Sequence, residues 1–142
     1  MRLRLKKLHL DLRKSIERID LPGIVYFYGP IGSGKSSIGR LIDYCLGGSY
    51  AWTPALQAEM VSAALELSVN DIPLTLHRDK DASQVVAAWQ NGDETLQVVI
   101  PAKTGTVEVL PATGVMVLSD LLFHLAKEEP PYVRRRKGKP DE

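Results

Sequence analysis

The chain has 142 residues, of which 25% are charged and 44% hydrophobic, and its formal net charge is +1. This length is enough for one domain with a substantial core, and the near-zero net charge excludes a uniformly basic nucleic-acid-binding domain. The single cysteine, Cys45, excludes an internal disulfide. Residues 1–7 lack the apolar core of a signal peptide, and no apolar run approaches membrane-spanning length, so we expect a cytoplasmic protein with no membrane partner.

Extended segments are predicted at the N-terminus. Leucines alternate with charged residues over residues 3–12, which predicts a half-buried strand, and the slip at Lys6-Lys7 predicts a β-bulge. A second extended segment covers residues 16–21, and Pro22-Gly23 is predicted to turn the chain into the next strand. The apolar run over residues 24–28 is typical of a buried strand. Two strands that feed a third in this way suggest the edge of a mixed sheet.

A phosphate-binding loop motif follows this strand. Two glycines five positions apart, a lysine and a hydroxyl residue make up Gly29-Pro30-Ile31-Gly32-Ser33-Gly34-Lys35-Ser36. In such a loop, successive backbone N–H groups surround a phosphate, the lysine reaches the β- and γ-phosphates, and the hydroxyl binds Mg²⁺. Apolar residues at helical spacing over residues 36–46 predict the helix that should follow, and Gly47-Gly48 should end it.

The rest of the chain changes character. A loop is predicted over residues 49–58, and then four short strands are predicted over residues 59–69, 72–78, 85–90 and 95–100. Asn70-Asp71 and Asn91-Gly92 provide two of the turns between these strands. Four strands in a row with no crossover helix predict an antiparallel meander. This pattern differs from kinases and GTPases, where strand–helix units repeat after the loop, and the Asn-Lys-x-Asp motif of GTPases is absent.

These segments together resemble the N-terminal half of an ABC-type ATPase head, as in SMC proteins, RecF, RecN and the double-strand-break-repair ATPases. The family's Gly-Pro-Asn-Gly-Ser-Gly-Lys-Ser-Ser is matched by residues 29–37, with Ile31 in place of asparagine. Its basic residue and serine ahead of the loop are matched by Arg13-Lys14-Ser15, and its Leu-Gly-Gly helix end by residues 46–48. A finer similarity, to coiled-coil ATPases of phage-defence operons including the Lamassu type, rests on that helix and on residues 130–136.

The resemblance implies an α/β fold: a P-loop NTPase of the ABC-ATPase-head type, with a mixed core sheet and an antiparallel β-subdomain, present as the N-terminal lobe only. It implies ATP and Mg²⁺ as cofactors. Lys35 would be the catalytic residue and Ser36 the metal ligand. The residues that it assigns to the nucleotide are Arg13, Lys14, Gly29, Pro30, Ile31, Gly32, Ser33, Gly34, Lys35, Ser36 and Ser37.

A complete head also needs a signature motif, a Walker B aspartate–glutamate pair and a coiled coil. Leu46-Gly47-Gly48-Ser49 is similar to a signature motif, but glycine there is better explained as the cap of the first helix. Val115 to Asp120 is similar to a Walker B strand, yet no glutamate follows, and Ser119 with Asp120 is typical of a helix N-cap and first turn. Because no heptad repeat is present, we expect an N-terminal lobe that is a fragment, a truncation or a split subunit.

The predicted organisation is a lobe over residues 1–128, with the meander at about 59–100, and a proline-rich basic tail over residues 129–142. The tail's Arg134-Arg135-Arg136-Lys137-Gly138-Lys139 either contacts DNA phosphates or is a solvated end. The predicted function is ATP binding in DNA repair, chromosome maintenance or antiphage defence. Hydrolysis would need a C-terminal lobe and a partner head. The alternative is a small phosphotransferase or a nucleotide-binding regulator.

Overall fold

A computed structural model describes residues 2–27, 37–50 and 52–127 of the chain. Six strands and three helices are formed there. The strands are β1 (Arg2–Leu12), β2 (Ile16–Phe27), β3 (Met60–Val69), β4 (Ile72–Asp79), β5 (Gln84–Asn91) and β6 (Glu94–Pro101). The helices are α1 (Ser37–Cys45), α2 (Pro54–Glu59) and α3 (Leu118–Ala126).

The six strands form one sheet in the order β2-β1-β3-β4-β5-β6. Every strand pairing in the described part of the chain is antiparallel. The predicted meander is therefore confirmed as β3 to β6, with each strand next to its neighbour in sequence. The mixed core sheet that the family resemblance implies stays a prediction.

The N-terminal strands differ from the prediction at one point. The expected bulge is confirmed, because the register of β1 shifts between Leu5 and Lys7 against both of its neighbours. Pro22-Gly23, however, does not turn the chain into a third strand. Leu5 pairs with Ile24 and Lys7 with Asp20, so the extra residues of β2 form an irregularity within one continuous strand. Proline is tolerated there because β2 is an edge strand of the described sheet and its missing N–H breaks no ladder bond.

The turns of the meander follow the sequence closely. Asn70 and Asp71 have positive φ angles of 46° and 72°, which fit a two-residue hairpin turn with left-handed backbone. At the other predicted hairpin, Asn91 pairs with Glu94, so Gly92 opens a two-residue turn with φ 67°. Asn70 has a second role, since its side-chain amide donates to the carbonyl oxygen of Ala126 at 3.1 Å and so holds the end of α3 against the sheet.

The hydrophobic core lies between one face of the sheet and the helices α1 and α3. The leucines of β1 that alternate with charged residues are buried at this face, and the buried positions of β4 alternate in the same way. Leu118, Leu121 and Leu122 of α3 are fully buried, as is Cys45 of α1. The opposite face is exposed and carries polar side chains such as Thr75 and His77 beside the exposed Val99, an arrangement that antiparallel sheets allow.

Two predictions about helices need correction. The segment over residues 49–58 is not loop throughout, because Thr53 caps a short helix: its side-chain oxygen accepts from the backbone N–H of Leu56, and Pro54 opens the first turn. The helix with its predicted N-cap at Ser119 begins two residues earlier: its N-cap is Val117 and its first residue is Leu118. Within residues 2–27, 37–50 and 52–127, no helix has the length and apolar character needed to cross a membrane.

Cys45 makes the stability of this core depend on pH. Burial raises the pKa of its thiol from the ordinary value of 9.0 to about 12, and the positive charge of Arg78 opposes that shift. Above pH 9 the unfolded thiol loses its proton while the folded one keeps it, so the free energy of unfolding falls as pH rises. We expect a loss on the order of 1 kcal/mol from this group between pH 8 and pH 10.

Urea unfolding of the wild type and of Cys45→Ala at pH 8, 9 and 10 measures this contribution. The variant starts from a lower stability because of the missing sulfur, but it should lack the thiol's share of the loss. Tyr44, whose pKa burial also raises, titrates in both proteins and cancels. Equal slopes for the two proteins would show that the thiol is not buried in this way.

Candidate nucleotide site

The predicted phosphate loop lies between a strand and a helix. β2 ends at Phe27 and α1 begins at Ser37, so the strand and the helix that the motif requires are both present at its borders. Residues 29–36, which carry the glycines, Lys35 and Ser36, lie outside the described residues. Ser37 is the first residue of α1, the helix whose N-terminus would face the phosphate.

Strand and helix also have a relative placement that suits a strand–loop–helix unit. β2 starts at Ile16, and successive pairings connect this end of the sheet through Asp11 and Ser62 to Asp79 of β4. α1 finishes at that same end, where the hydroxyl of Tyr44 donates to the carbonyl oxygen of Asp79 at 2.6 Å. The chain thus leaves one end of the sheet along β2 and is back at that end when α1 is complete.

The end of α1 explains the Leu-Gly-Gly sequence. Gly47 has φ 102° and its N–H donates to the carbonyl of Tyr44, while the N–H of Gly48 donates to the carbonyl of Asp43 at 2.8 Å. These two bonds are the Schellman pattern that ends helices. A Cβ on Gly47 would lie 3.0 Å from the carbonyl oxygen of Ala102. The predicted cap is confirmed, and it accounts for the glycines without a signature motif.

Arg78 of β4 fastens this helix end to the sheet. Its Nε donates to the carbonyl oxygen of Ala82 at 2.8 Å, and its Nη1 donates to those of Tyr44 and Gly48 at 2.8 and 2.7 Å. The guanidinium carbon lies 4.0 Å from the centre of the Tyr44 ring, a cation–π contact. Only 7% of Arg78 is exposed, so these bonds are made in a largely water-free environment where each counts for more.

Arg78 was not singled out from the sequence, although the pattern of β4 held a signal for it. Leu74 and Leu76 face the core, so strict alternation places Arg78 on the same buried face. A cation predicted at a core position must find partners. Two of its three partners, the carbonyls of Tyr44 and Gly48, are 34 and 30 residues away in sequence, and these cannot be identified from the alternation alone.

Aromatic residues pack beside this cation. The Trp52 ring lies 5.1 Å from that of Tyr44 and 4.5 Å from that of Tyr50, and its Nε1 donates to Asp81 at 2.6 Å. Trp52 therefore packs the connection after α1 against the β4–β5 turn.

Arg13 and Lys14, assigned to the nucleotide by resemblance, lie in the turn between β1 and β2. Both side chains are exposed, and the backbone N–H of Arg13 donates to the carbonyl oxygen of Glu59 at 2.8 Å. β2 then runs for 12 residues before the loop begins, a path of about 35 Å at the usual rise per residue. The described backbone does not bring Arg13 or Lys14 to the point where β2 enters the loop, and their role stays a prediction.

Asp120 caps α3. Its carboxylate accepts from the backbone N–H groups of Met116 and Val117 at 3.1 and 3.2 Å, which satisfies donors at the start of the helix. Val115 makes one isolated bridge, to Leu110, and belongs to none of the six strands. The segment is a helix entry, as the capping interpretation predicted, and it lacks the strand on which a Walker B aspartate would lie.

Acidic groups interrupt the basic residues of β1. Lys7 lies 3.5 Å from Asp20, and His9 contacts the carboxylate of Glu66, so this part of the strand is not a continuous basic face. The basic tail lies outside the described residues. Among the residues that the structure describes, no three histidine, cysteine or acidic side chains come together as metal ligands, and Ser36, the predicted Mg²⁺ ligand, is not among them.

No protein-family profile, curated protein or solved structure matches the chain.

Arg78→Ala tests the attachment of α1. The change removes a donor from three carbonyl oxygens, of which that of Tyr44 keeps the N–H of Gly47, and it removes the contact with the Tyr44 ring. We therefore expect a loss of about 2–4 kcal/mol in the free energy of unfolding. Chemical denaturation at pH 7 measures it. Arg4→Ala, which removes an exposed arginine of β1, is the matched control and should change stability by less than about 0.5 kcal/mol. Similar small effects of both changes would contradict the assigned role of Arg78.

Proposed function

We propose that this chain is the ATP-binding N-terminal lobe of an SMC-like ATPase that acts on DNA, in repair, chromosome maintenance or antiphage defence. One observation carries the proposal: the motif from Gly29 to Ser36 occupies the connection between the end of β2 and the start of α1. A glycine-rich loop in that position presents backbone N–H groups and a helix N-terminus to a phosphate.

Lys35 and Ser36 have the most specific roles in this proposal. Lys35 would place its ammonium against the β- and γ-phosphates of ATP, and the Ser36 hydroxyl would be a ligand of Mg²⁺. Gly32 and Gly34 would let the backbone approach the phosphates closely. Ile31 stands where the family has asparagine. Since the cradle is built from backbone groups, an apolar side chain at this position leaves it intact.

The meander supports the ABC-type branch over the alternatives. After α1 and the short α2, the chain forms four consecutive antiparallel strands, β3 to β6. A small phosphotransferase or a GTPase would instead continue with strand–helix units on a parallel sheet. The proposed assignment is therefore an ATPase lobe with an antiparallel subdomain.

The same proposal makes hydrolysis depend on other parts of an assembly. The sequence has no Walker B aspartate–glutamate pair, and Asp120 is used in the cap of α3. The groups that position water and complete the site would come from a C-terminal lobe and a second ATPase head, with DNA as the partner of the whole assembly in the cytoplasm. Bound ATP would stay intact on this chain alone.

Lys35→Ala tests the proposed loop. The wild type should bind a fluorescent ATP analogue in the presence of Mg²⁺, and the variant should bind it at least tenfold more weakly, because a charge-assisted contact to phosphate is lost. Lys6→Ala, which removes an exposed lysine of β1, is the control for a simple loss of positive charge. Titration followed by fluorescence anisotropy gives the dissociation constants, and phosphate release measures turnover.

Three results would contradict the proposal. Equal affinities of Lys35→Ala and the wild type for the ATP analogue would show that the loop does not bind it. If the folded wild type does not bind the analogue, the protein is not an ATP-binding lobe. Steady phosphate release by the purified chain, abolished by Lys35→Ala, would show a complete catalytic site and favour the phosphotransferase or regulator class.

A further inference from the structure

A polar cavity lies beside the attachment of α1, at the end of the sheet where β5 begins and β6 ends. Its volume is about 400 Å³. The polar side chains that line it are Ser49, Arg78, Ser83, Gln84, Lys103 and Thr104. The remaining lining comes from Pro101 and Ala102, so the cavity combines several hydrogen-bond donors with some apolar surface.

Arg78 forms the buried part of this cavity. Its described hydrogen bonds use Nε and Nη1 and all go to neutral carbonyl oxygens. Nη2 makes no hydrogen bond to the described residues. No buried side-chain nitrogen or oxygen of the described residues lacks a partner, so Nη2 keeps some contact with solvent although only 7% of the residue is exposed. No carboxylate lies within salt-bridge distance of this guanidinium in the described part of the chain. A buried cation without a counterion favours an anion next to it.

Lys103 supplies a second positive charge at the rim. Its Nζ donates to the Ser49 hydroxyl at 2.6 Å, which fixes the ammonium over the connection that follows α1. The backbone N–H of Ala102 donates to the carbonyl oxygen of Ser83 at 2.8 Å, and this bond holds the two sides of the rim together. The lysine keeps two further N–H donors, and no acidic residue is among the lining residues that the structure describes.

We propose that this cavity binds a phosphate group, free or as a small monoester, between Arg78 and Lys103. A doubly negative tetrahedral ion matches two cations in one cavity, and its oxygens would accept from the hydroxyls of Ser83 and Thr104 and from the Gln84 amide. A carboxylate, planar and singly charged, would leave part of these donors unused. The inference does not depend on the proposed ATPase function.

Amide chemical shifts locate the binding. Inorganic phosphate is titrated into ¹⁵N-labelled Lys35→Ala protein at constant ionic strength, so that phosphate bound by the loop does not contribute. Saturable shifts at the amides of Ser83, Lys103 and Thr104 are expected. A parallel titration with phenyl phosphate distinguishes a monoester ligand from free phosphate. If phenyl phosphate binds more tightly than inorganic phosphate, the ligand is a monoester, and if it binds more weakly, the ligand is the free ion. Both results support the site.

Two added substitutions complete the test without touching the buried arginine. Lys103→Ala should weaken phosphate binding about tenfold, and Lys103→Arg should retain it within about threefold, because the positive charge is kept. Lys6→Ala, a lysine outside the cavity, should have no effect. No saturable shifts at these amides would overturn the proposal, and so would equal affinities of Lys103→Ala and Lys6→Ala. Acetate that binds as tightly as phosphate would overturn the assignment of the ligand.

Discussion

β1 connects the two parts of the described sheet, because it pairs with a different strand on each side. On one side β1 pairs with β2, the strand that leads into the predicted phosphate loop, and on the other side with β3, the first strand of the meander. The leucines of β1 fill the core, and the shift between Leu5 and Lys7 keeps them on the buried face of both pairings. Without this strand, β2 would have no neighbour in the described sheet, and the meander would lose its contact with it.

A second connection joins helix to sheet, and it is polar. Arg78 reaches from β4 to the last carbonyls of α1 and to Gly48, while Tyr44 donates back to β4. Since α1 is the helix that follows the loop, the position of the helix is set at its far end by one buried guanidinium. The same group leaves donors toward the neighbouring cavity. A single arginine thus fixes the helix and provides the cation for the proposed phosphate site.

Local patterns predicted the strands because each depends on nearby residues. The period of two in β1 showed both the strand and its bulge, and Asn70-Asp71 specified a turn whose backbone requires positive φ. Pro22-Gly23 was misassigned because the same pair suits a turn or an irregularity in an edge strand, and only pairing with β1 decides between them. The short helix α2 was missed because Thr53-Pro54 is a cap signal within a segment of weak periodicity.

The candidate site was predictable only in part. The motif, its strand and its helix follow from residue types at fixed spacing, whereas the partners of Arg78 depend on where distant segments meet. Asp120 was open to two interpretations in sequence, a Walker B residue or a helix cap. Asp120 accepts hydrogen bonds from two backbone N–H groups, and this favours the helix cap. Function remains a proposal that rests on the motif and its surroundings.

Hydrogen–deuterium exchange with and without MgATP tests most directly whether the connection between β2 and α1 binds phosphate. The account predicts slower exchange of the backbone amides over residues 29–37, since those N–H groups would donate to the phosphates. Exchange in the β5–β6 hairpin should not change, and Lys35→Ala should show little protection anywhere. Unchanged exchange over residues 29–37 at saturating MgATP, or protection found only in the hairpins, would contradict it.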